Sequence, residues 1–253
     1  MKNIPKIIHF IWVNFKNELD SNPIIPQKYL DNIENTRRLN PNFQIKIWNG
    51  YDCNEIIKKY FPNKLNFYWN LDYPIQRCDF VRIAILYVYG GIYSDMDRIS
   101  LKSYDIVLDK YNNYDVIFSL DQFNLLNNDI IFSKIKSESL LYCINNFKKV
   151  NIGIYFIDVL FTTGPFALQY HIWKYKGSNK IIYLKDIFTP CTNCYCNKKN
   201  IDNVISLTTI DSSWVDGYEN ITDIVQFIIC NIQIIIIILL IGYIIYRHFL
   251  YKK

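Results

Sequence analysis

The sequence predicts an α/β fold, a mixed and mostly parallel sheet flanked by helices, followed by one C-terminal transmembrane helix. Three observations carry this. Short apolar strands alternate with helix-length segments, the pattern of a largely parallel sheet. A buried helical run, Phe80 to Tyr89, is broken only by Arg82, stops at Gly90-Gly91 and is followed at once by Ile92-Tyr93-Ser94-Asp95-Met96-Asp97. From Ile224 to Tyr246 no side chain is charged, and Ile234 to Ile241 is unbroken Ile and Leu. Roughly 20 apolar residues suffice to cross a bilayer as a helix.

Taken in order, Ile7 to Val13 reads as a first buried strand, followed by a loop to Pro26 and a helix to Leu39. Asn40-Pro41-Asn42 is turn chemistry, and Phe43 to Trp48 alternates like a strand. Asp52 to Tyr60 reads as a helix capped by Asp52 and ended by Pro62. Gln76 to Tyr89 is the helix that the two glycines terminate. Ile92 and Tyr93 form a short buried strand, and Asp115 to Leu120, Asp129 to Lys134 and Ile181 to Leu184 are further strands. Ser137 to Phe147 is an amphipathic helix. Gly164-Pro165 opens another, to about Lys176, with proline at a first-turn position where its missing N–H costs nothing. The expected domains are a globular unit at 1–220, an anchor at 224–246 and a basic tail at 247–253.

The bulk numbers agree. A chain of 253 residues suits one domain plus an appendage, and 51% hydrophobic with 17% aromatic residues supply a large core. The net charge of +5 is scattered, without the dense basic patch that nucleic acid requires, so no nucleic-acid partner is expected. Lys6 to Val13 is interrupted by His9, preceded by Pro5 and followed by no small-residue cleavage site, so it reads as a strand rather than a secretory signal.

Arg247, His248, Lys252 and Lys253 flank the apolar span on one side, and Asp216, Glu219 and Asp223 on the other. A single-pass membrane anchor is therefore expected, in endomembranes (ER or Golgi) if the source is eukaryotic or a virus of eukaryotes. The positive-inside tendency puts the main domain in the lumen. Late insertion of a tail leaves it cytosolic, and both orientations stay open. Cys53, Cys78 and Cys143 read as small core residues, and Cys230 lies in the span. Cys191, Cys194 and Cys196 lack a fourth ligand nearby in sequence, which favours a local disulfide or free thiols over zinc.

The chemistry concentrates at Asp95 and Asp97. If the strand continues through them, both side chains point the same way and Met96 points opposite. Two carboxylates on one side repel each other unless a cation lies between them, and a hard divalent ion carrying phosphate oxygens is the usual solution. Asp79 and Arg82 are three residues apart on one face of a largely buried helix. Buried there, they need partners, and sugar hydroxyls are suitable ones.

These residues carry a resemblance. Ile4-Pro5-Lys6-Ile7-Ile8-His9-Phe10-Ile11-Trp12, Asp79-Phe80-Val81-Arg82 and Gly90-Gly91-Ile92-Tyr93-Ser94-Asp95-Met96-Asp97 resemble the DXD sugar-binding region of the family 32 glycosyltransferases. The same blocks are similar to the glucosyltransferase domain of the large clostridial toxins. Thr163-Gly164-Pro165 and Ser212-Ser213-Trp214 look like two later blocks, so the resemblance spans Ile4 to Trp214.

The resemblance implies a GT-A-like, Rossmann-type fold and a metal-dependent transferase that retains anomeric configuration. Its donor would be a UDP- or GDP-linked sugar bound through Mn²⁺ or Mg²⁺, and its acceptor a glycan, lipid or protein. By the same resemblance Trp12 would stack on the donor base. Asp79 and Arg82 would hold sugar hydroxyls and phosphates, Asp95 would contact ribose and sugar while assisting the metal, and Asp97 would ligate it. Ser212 and Trp214 would sit in a loop closing over the diphosphate. One departure is visible: Thr208, Thr209, Ile210 and Asp211 stand where many members carry a metal-binding histidine. Asp211 or Ser212 could supply an oxygen ligand instead. His9 and His171 read as structural.

Two alternatives follow. A metal-dependent nucleotidyltransferase expects its turn serine directly after a glycine and a third acid on a neighbouring strand, whereas here Ser94 follows Tyr93. A non-catalytic nucleotide-sugar-binding homologue is suggested by the missing histidine.

Overall fold

The expected alternation of strand and helix is present in a computed structural model, which describes residues 3–121, 124–188 and 202–208. The first half runs β1 (Ile7–Ile11), α1 (Gln27–Leu39), β2 (Gln44–Trp48), α2 (Gly50–Tyr60), α3 (Leu65–Trp69), α4 (Pro74–Tyr89) and β3 (Gly91–Ser94). It continues through β4 (Arg98–Ser100), α5 (Asp105–Lys110), β5 (Val116–Leu120), β6 (Leu126–Ser133), α6 (Glu138–Asn146), α7 (Tyr155–Thr162), α8 (Pro165–Lys174), β7 (Ile181–Lys185) and β8 (Ser206–Thr208).

Six strands pair in the order β2-β1-β3-β6-β5-β7, and β4 with β8 makes a separate two-stranded ribbon. The pairs β1–β2, β1–β3 and β5–β7 are parallel, while β6 runs antiparallel to both β3 and β5. Five strands therefore point one way and β6 alone points back. This is the mixed, mostly parallel sheet that the sequence predicts. The reversal matters for function, because it brings the start of β6 to the edge where the other strands end.

Strand periodicity sorts the core onto two faces. Tyr93, Phe118 and Ile131 pack with the buried faces of α2, α4, α6 and α8, whereas Ile92, Ile117, Ile130 and Phe132 pack on the opposite face, towards α1. Helix α4 is buried nearly all round: Phe80, Val81, Ala84, Ile85 and Leu86 are fully enclosed. Burying a side chain such as Phe80 is worth roughly 1.5–3 kcal/mol, and the helix collects several.

Gly90 ends α4 with φ of 63° and Gly91 follows at 94°. A side chain is excluded twice at Gly91: its φ is left-handed, and a Cβ would lie 2.5 Å from the Ile7 carbonyl oxygen. The two glycines thus let β3 drop into the sheet directly beside β1.

Several local expectations change. β1 stops at Ile11 rather than Val13. The cap of α2 is Asn49, whose side chain accepts from the Asp52 N–H over 2.8 Å, so the helix starts before Asp52. The acids do not continue the strand: β3 ends at Ser94, and Asp95, Met96 and Asp97 form a turn into β4. The alternation nonetheless survives in burial, with Met96 buried and both aspartates half-buried. Cys53, Cys78 and Cys143 are buried free thiols, as expected. Residues 224–246 and Cys191, Cys194, Cys196 and Cys230 lie outside the described residues. Among the described residues no helix is long and apolar enough to cross a membrane.

Candidate functional site

The site is assembled where β1, β3 and β5 end and β6 begins, the carboxyl edge at which ligands of open parallel sheets collect. Helix α4 delivers its first polar pair there. Arg82 Nη2 lies 2.9 Å from Asp79 Oδ1 across one helical turn, with side chains only 5% and 6% exposed. A guanidinium so enclosed needs several acceptors. Arg82 Nη1 donates to the Asn128 carbonyl at 2.7 Å and lies 3.3 Å from Asp95 Oδ1, and the guanidinium sits over the Tyr93 ring at 4.6 Å. Asn128 returns the contact, its side-chain amide donating to Asp79 Oδ1 at 2.9 Å.

The Asp95 carboxylate is held from below by this network and from the strand by the Tyr93 hydroxyl, 2.5 Å from Oδ1. It is 31% exposed, so it is the member of the trio that reaches the open edge. Its backbone N–H donates to the Asp129 carbonyl at 2.8 Å, continuing the β3–β6 ladder by one residue. Asp97 follows in the same turn, half-buried.

Burial dominates the electrostatics. Desolvation pushes the Asp79 carboxyl up to about 7 despite the opposing pull of Arg82, with Asp95 adding to the rise. Desolvation also raises Asp95, which Arg82 partly offsets. Around the turn four carboxylates, Asp79, Asp95, Asp97 and Asp129, stand against two guanidinium groups, Arg82 and Arg98. That oxygen-rich, negatively biased set fits a hard divalent cation. Among the described residues no three His, Cys, Asp or Glu side chains converge as a ready-made cage. An ion held by Asp95 and Asp97 would therefore complete its shell with phosphate and water oxygens, as Mg²⁺ commonly does.

Trp12 follows the end of β1, the parallel neighbour of β3. Its indole N–H donates to the Ile24 carbonyl at 2.9 Å and its ring lies 5.1 Å from that of Tyr29. The loop between β1 and α1 is pinned from beneath. Arg77 makes a two-pronged contact with Glu18, 2.6 Å at each prong, and a Cβ on Gly50 would strike the Glu18 carbonyl. The Thr163 hydroxyl donates to the Gln76 carbonyl at 2.9 Å, and Gln76 donates to that of Asp158 at 3.0 Å. The Thr163-Gly164-Pro165 block thus buttresses the start of α4.

His9 is structural, as expected. Trp48 Nε1 donates to its Nδ1 at 3.2 Å, so Nε2 carries the proton and donates to the Gly90 carbonyl at 2.8 Å. Desolvation lowers its pKa to about 4. His171 is half-buried amid the Phe147, Tyr142 and Tyr170 rings, with burial lowering its pKa.

The structure therefore brings Asp79, Arg82 and Asp95 into one network, sets Asp97 on the adjoining turn and leaves Trp12 at the end of the adjacent strand. Asp211, Ser212 and Trp214 lie outside the described residues. Tyr93, Asn128, Asp129 and Arg98 are site residues that sequence reasoning missed. The polar run Asn127-Asn128-Asp129, opening an apolar strand, was the available signal. Where β5 ends and β6 begins, an apolar groove of about 760 Å³ is lined by Leu120, Leu126, Phe161, Phe166, Tyr170 and Trp173. Leu126 is on β6, the strand next to β3, and Leu120 is on β5, one strand further across the sheet.

Residues 26–118 match the family model described as a glycosyltransferase sugar-binding region containing a DXD motif. That stretch holds Asp79, Arg82, Asp95 and Asp97 together. Through this segment the chain is similar to the DXD-containing glycosyltransferases. Inositol phosphoceramide mannosyltransferase 3 of Schizosaccharomyces pombe is 38% identical over 94 residues, 37% of this chain and 24% of that protein. An uncharacterized glycosyltransferase of Acanthamoeba polyphaga mimivirus is 36% identical over 101 residues, 40% of this chain and 38% of the viral protein. These matches span less than two-fifths of each relative's length. Among solved structures, the PaToxG glycosyltransferase aligns with a TM-score of 0.49 at 17% identity, covering 68% of this chain and 70% of that chain.

Proposed function

We propose that this protein is a glycosyltransferase of the DXD-containing kind, a metal-dependent, retaining hexosyltransferase of GT-A type that uses a nucleotide-diphosphate sugar as donor. The observation that carries the reading is the half-buried Asp95–Asp97 turn at the carboxyl edge of the sheet, tied to the enclosed Asp79–Arg82 pair.

Each group then has a task. Asp95 and Asp97 present oxygens to a divalent cation, Mn²⁺ or Mg²⁺, and to the donor. When bound, that cation supplies positive charge to the departing diphosphate without any proton transfer. Arg82 and the Tyr93 hydroxyl hold the Asp95 carboxylate in one orientation before substrate arrives, so little reorganisation is left for the reaction. Asp79, mostly enclosed, fixes Arg82 and offers an acceptor at the inner end of the site. Trp12 supplies an aromatic face for the nucleotide base. By the resemblance, Ser212 and Trp214 would close over the diphosphate and exclude water, which would otherwise hydrolyse the activated sugar, and Asp211 or Ser212 would offer the metal an oxygen.

The acceptor is a glycan, lipid or protein. The mannosyltransferase and phosphoceramide names among the relatives put mannose first among the hexoses to test and an inositol phosphoceramide first among acceptors. The aromatic groove at the β5–β6 end suits the apolar or ring face of such an acceptor. The proposed organisation is a catalytic domain over 1–220, a membrane anchor at 224–246 and a basic tail, giving a single-pass endomembrane protein.

Purified protein is incubated with a panel of UDP- and GDP-sugars and Mn²⁺. Slow release of free sugar and nucleoside diphosphate supports transfer chemistry. Nucleotide incorporation indicates a nucleotidyltransferase, and binding without turnover indicates a non-catalytic homologue.

A further inference from the structure

Arg98 is fully buried, with no exposed side-chain surface, yet it stands directly after Asp97. A long charged side chain placed there is enclosed only if every direction of its fork finds an acceptor. It does. One guanidinium nitrogen pairs with the Asp129 carboxylate. A second donates to the Phe188 carbonyl and to Ser206 Oγ at 3.0 Å, and Nε lies 3.3 Å from the same hydroxyl. Three separate pieces of chain, the start of β6, the end of the segment after β7, and β8, thus meet on one guanidinium.

The same residue closes the acid turn from both ends. The Arg98 N–H donates to the Asp95 carbonyl at 3.2 Å, and Asp129, its ion-pair partner, accepts the Asp95 N–H at 2.8 Å. Asp97 sits between these two fixed points. Arg98 also pairs with Thr208 across the β4–β8 ribbon, just before the stretch that holds Asp211 and Ser212.

We infer that Arg98 is a positioning residue. It sets the backbone of the Asp95–Asp97 turn through Asp129, and it fastens that turn to the returning chain at Ser206. This rests on the metal-dependent reading above. Its function is geometric: the fork, not the charge alone, holds the acids at the spacing a divalent ion requires. Lysine keeps the charge but offers one point of attachment, so it cannot hold Asp129, Phe188 and Ser206 together.

The test is Mn²⁺ titrated into the full chain with saturating UDP or GDP, followed by the electron paramagnetic resonance signal of free Mn²⁺. Arg98→Lys is expected to weaken Mn²⁺ binding at least tenfold and to raise the donor KM more than it lowers kcat. Asp129→Asn should reproduce the loss, and the double variant should add little to either single change. Lys134→Met removes a similarly buried ion pair, with Asp115, at the far end of β6. It serves as a control that lowers the melting temperature without moving Mn²⁺ affinity. Wild-type Mn²⁺ affinity in Arg98→Lys, with a melting shift matching that control, overturns the inference. If Arg98→Lys fails to fold, Asp129→Asn decides on the same two readouts. Absence of Mn²⁺ binding by the wild type removes the metal-dependent reading itself, an outcome distinct from loss in the variant alone.

Discussion

The Tyr93 hydroxyl donates to Asp95 Oδ1 over 2.5 Å, so the last enclosed aromatic of β3 orients the first acid of the turn. Tyr93→Phe keeps the ring beneath Arg82 and removes only this donor. A hydrogen bond to a charged group is worth about 1.5–3 kcal/mol. The expected result is a fall in kcat/KM for donor hydrolysis of roughly tenfold to a hundredfold, with little change in melting temperature. An unchanged kcat/KM would show that Asp95 is oriented by Arg82 alone.

Asp97→Asn retains the shape of the turn and removes one anionic oxygen. If Asp97 holds the cation, turnover of the sugar nucleotide should drop at least about a hundredfold, since metal stabilisation of a leaving group is worth several kcal/mol. Raising Mn²⁺ should recover part of the loss. A variant with wild-type turnover would strip Asp97 of its metal role.

Stability should depend on pH through two buried groups of opposite sign. The Asp79 carboxyl is raised from its usual range to about 7, so its contribution is fully present below about pH 4 and is lost as pH climbs to about 7. His9 is lowered to about 4, so its contribution is complete above about pH 6.5 and is lost as pH falls towards about 4. In chelator-containing buffer the two slopes oppose each other between about pH 4 and pH 7. Asp79→Asn removes the first, so the melting temperature of the variant relative to wild type should rise with pH across this window. A flat difference between wild type and variant would contradict the raised Asp79 pKa.

Gly91→Ala introduces a Cβ at a φ of 94° and 2.5 Å from the Ile7 carbonyl oxygen. Strain of this kind costs on the order of 1–3 kcal/mol, and the clash adds to it. Urea unfolding should show a loss of at least that size. Because Gly91 opens β3, pairing with Ser133 of β6 and lying against the Ile7 carbonyl of β1, the acid turn should loosen as well, visible as weaker Mn²⁺ binding.

Much of the architecture was legible because strand and helix periods differ. Ile7, Phe43, Gln76, Asp115 and Ile181 each lie within two residues of an observed element boundary, where apolar spacing or a proline marks the change. The short elements were not. β4 and β8 are three residues each and exist because they pair across the chain, a tertiary fact without local spacing. The same limit applies to the site. Asp79, Arg82, Asp95 and Asp97 stand out as charges in apolar surroundings. Asn128 and Asp129 join them only because β6 is reversed, and the sequence carries no mark of strand direction. Asp52 misled as a helix cap because Asn49, three residues earlier, already offers the side-chain oxygen.

The surplus of acids over guanidinium groups at the sheet edge links this protein's folding to the ionic content of its surroundings. Like charges confined there repel until a counter-ion arrives, so any ion that docks in the native state alone lends stability by mass action, about 2.7 kcal/mol at a hundredfold excess over its dissociation constant. On the proposed metal-dependent reading, depletion of divalent ions would soften the molecule as well as silence it, and a compartment's supply of manganese or magnesium would govern how long the protein survives there.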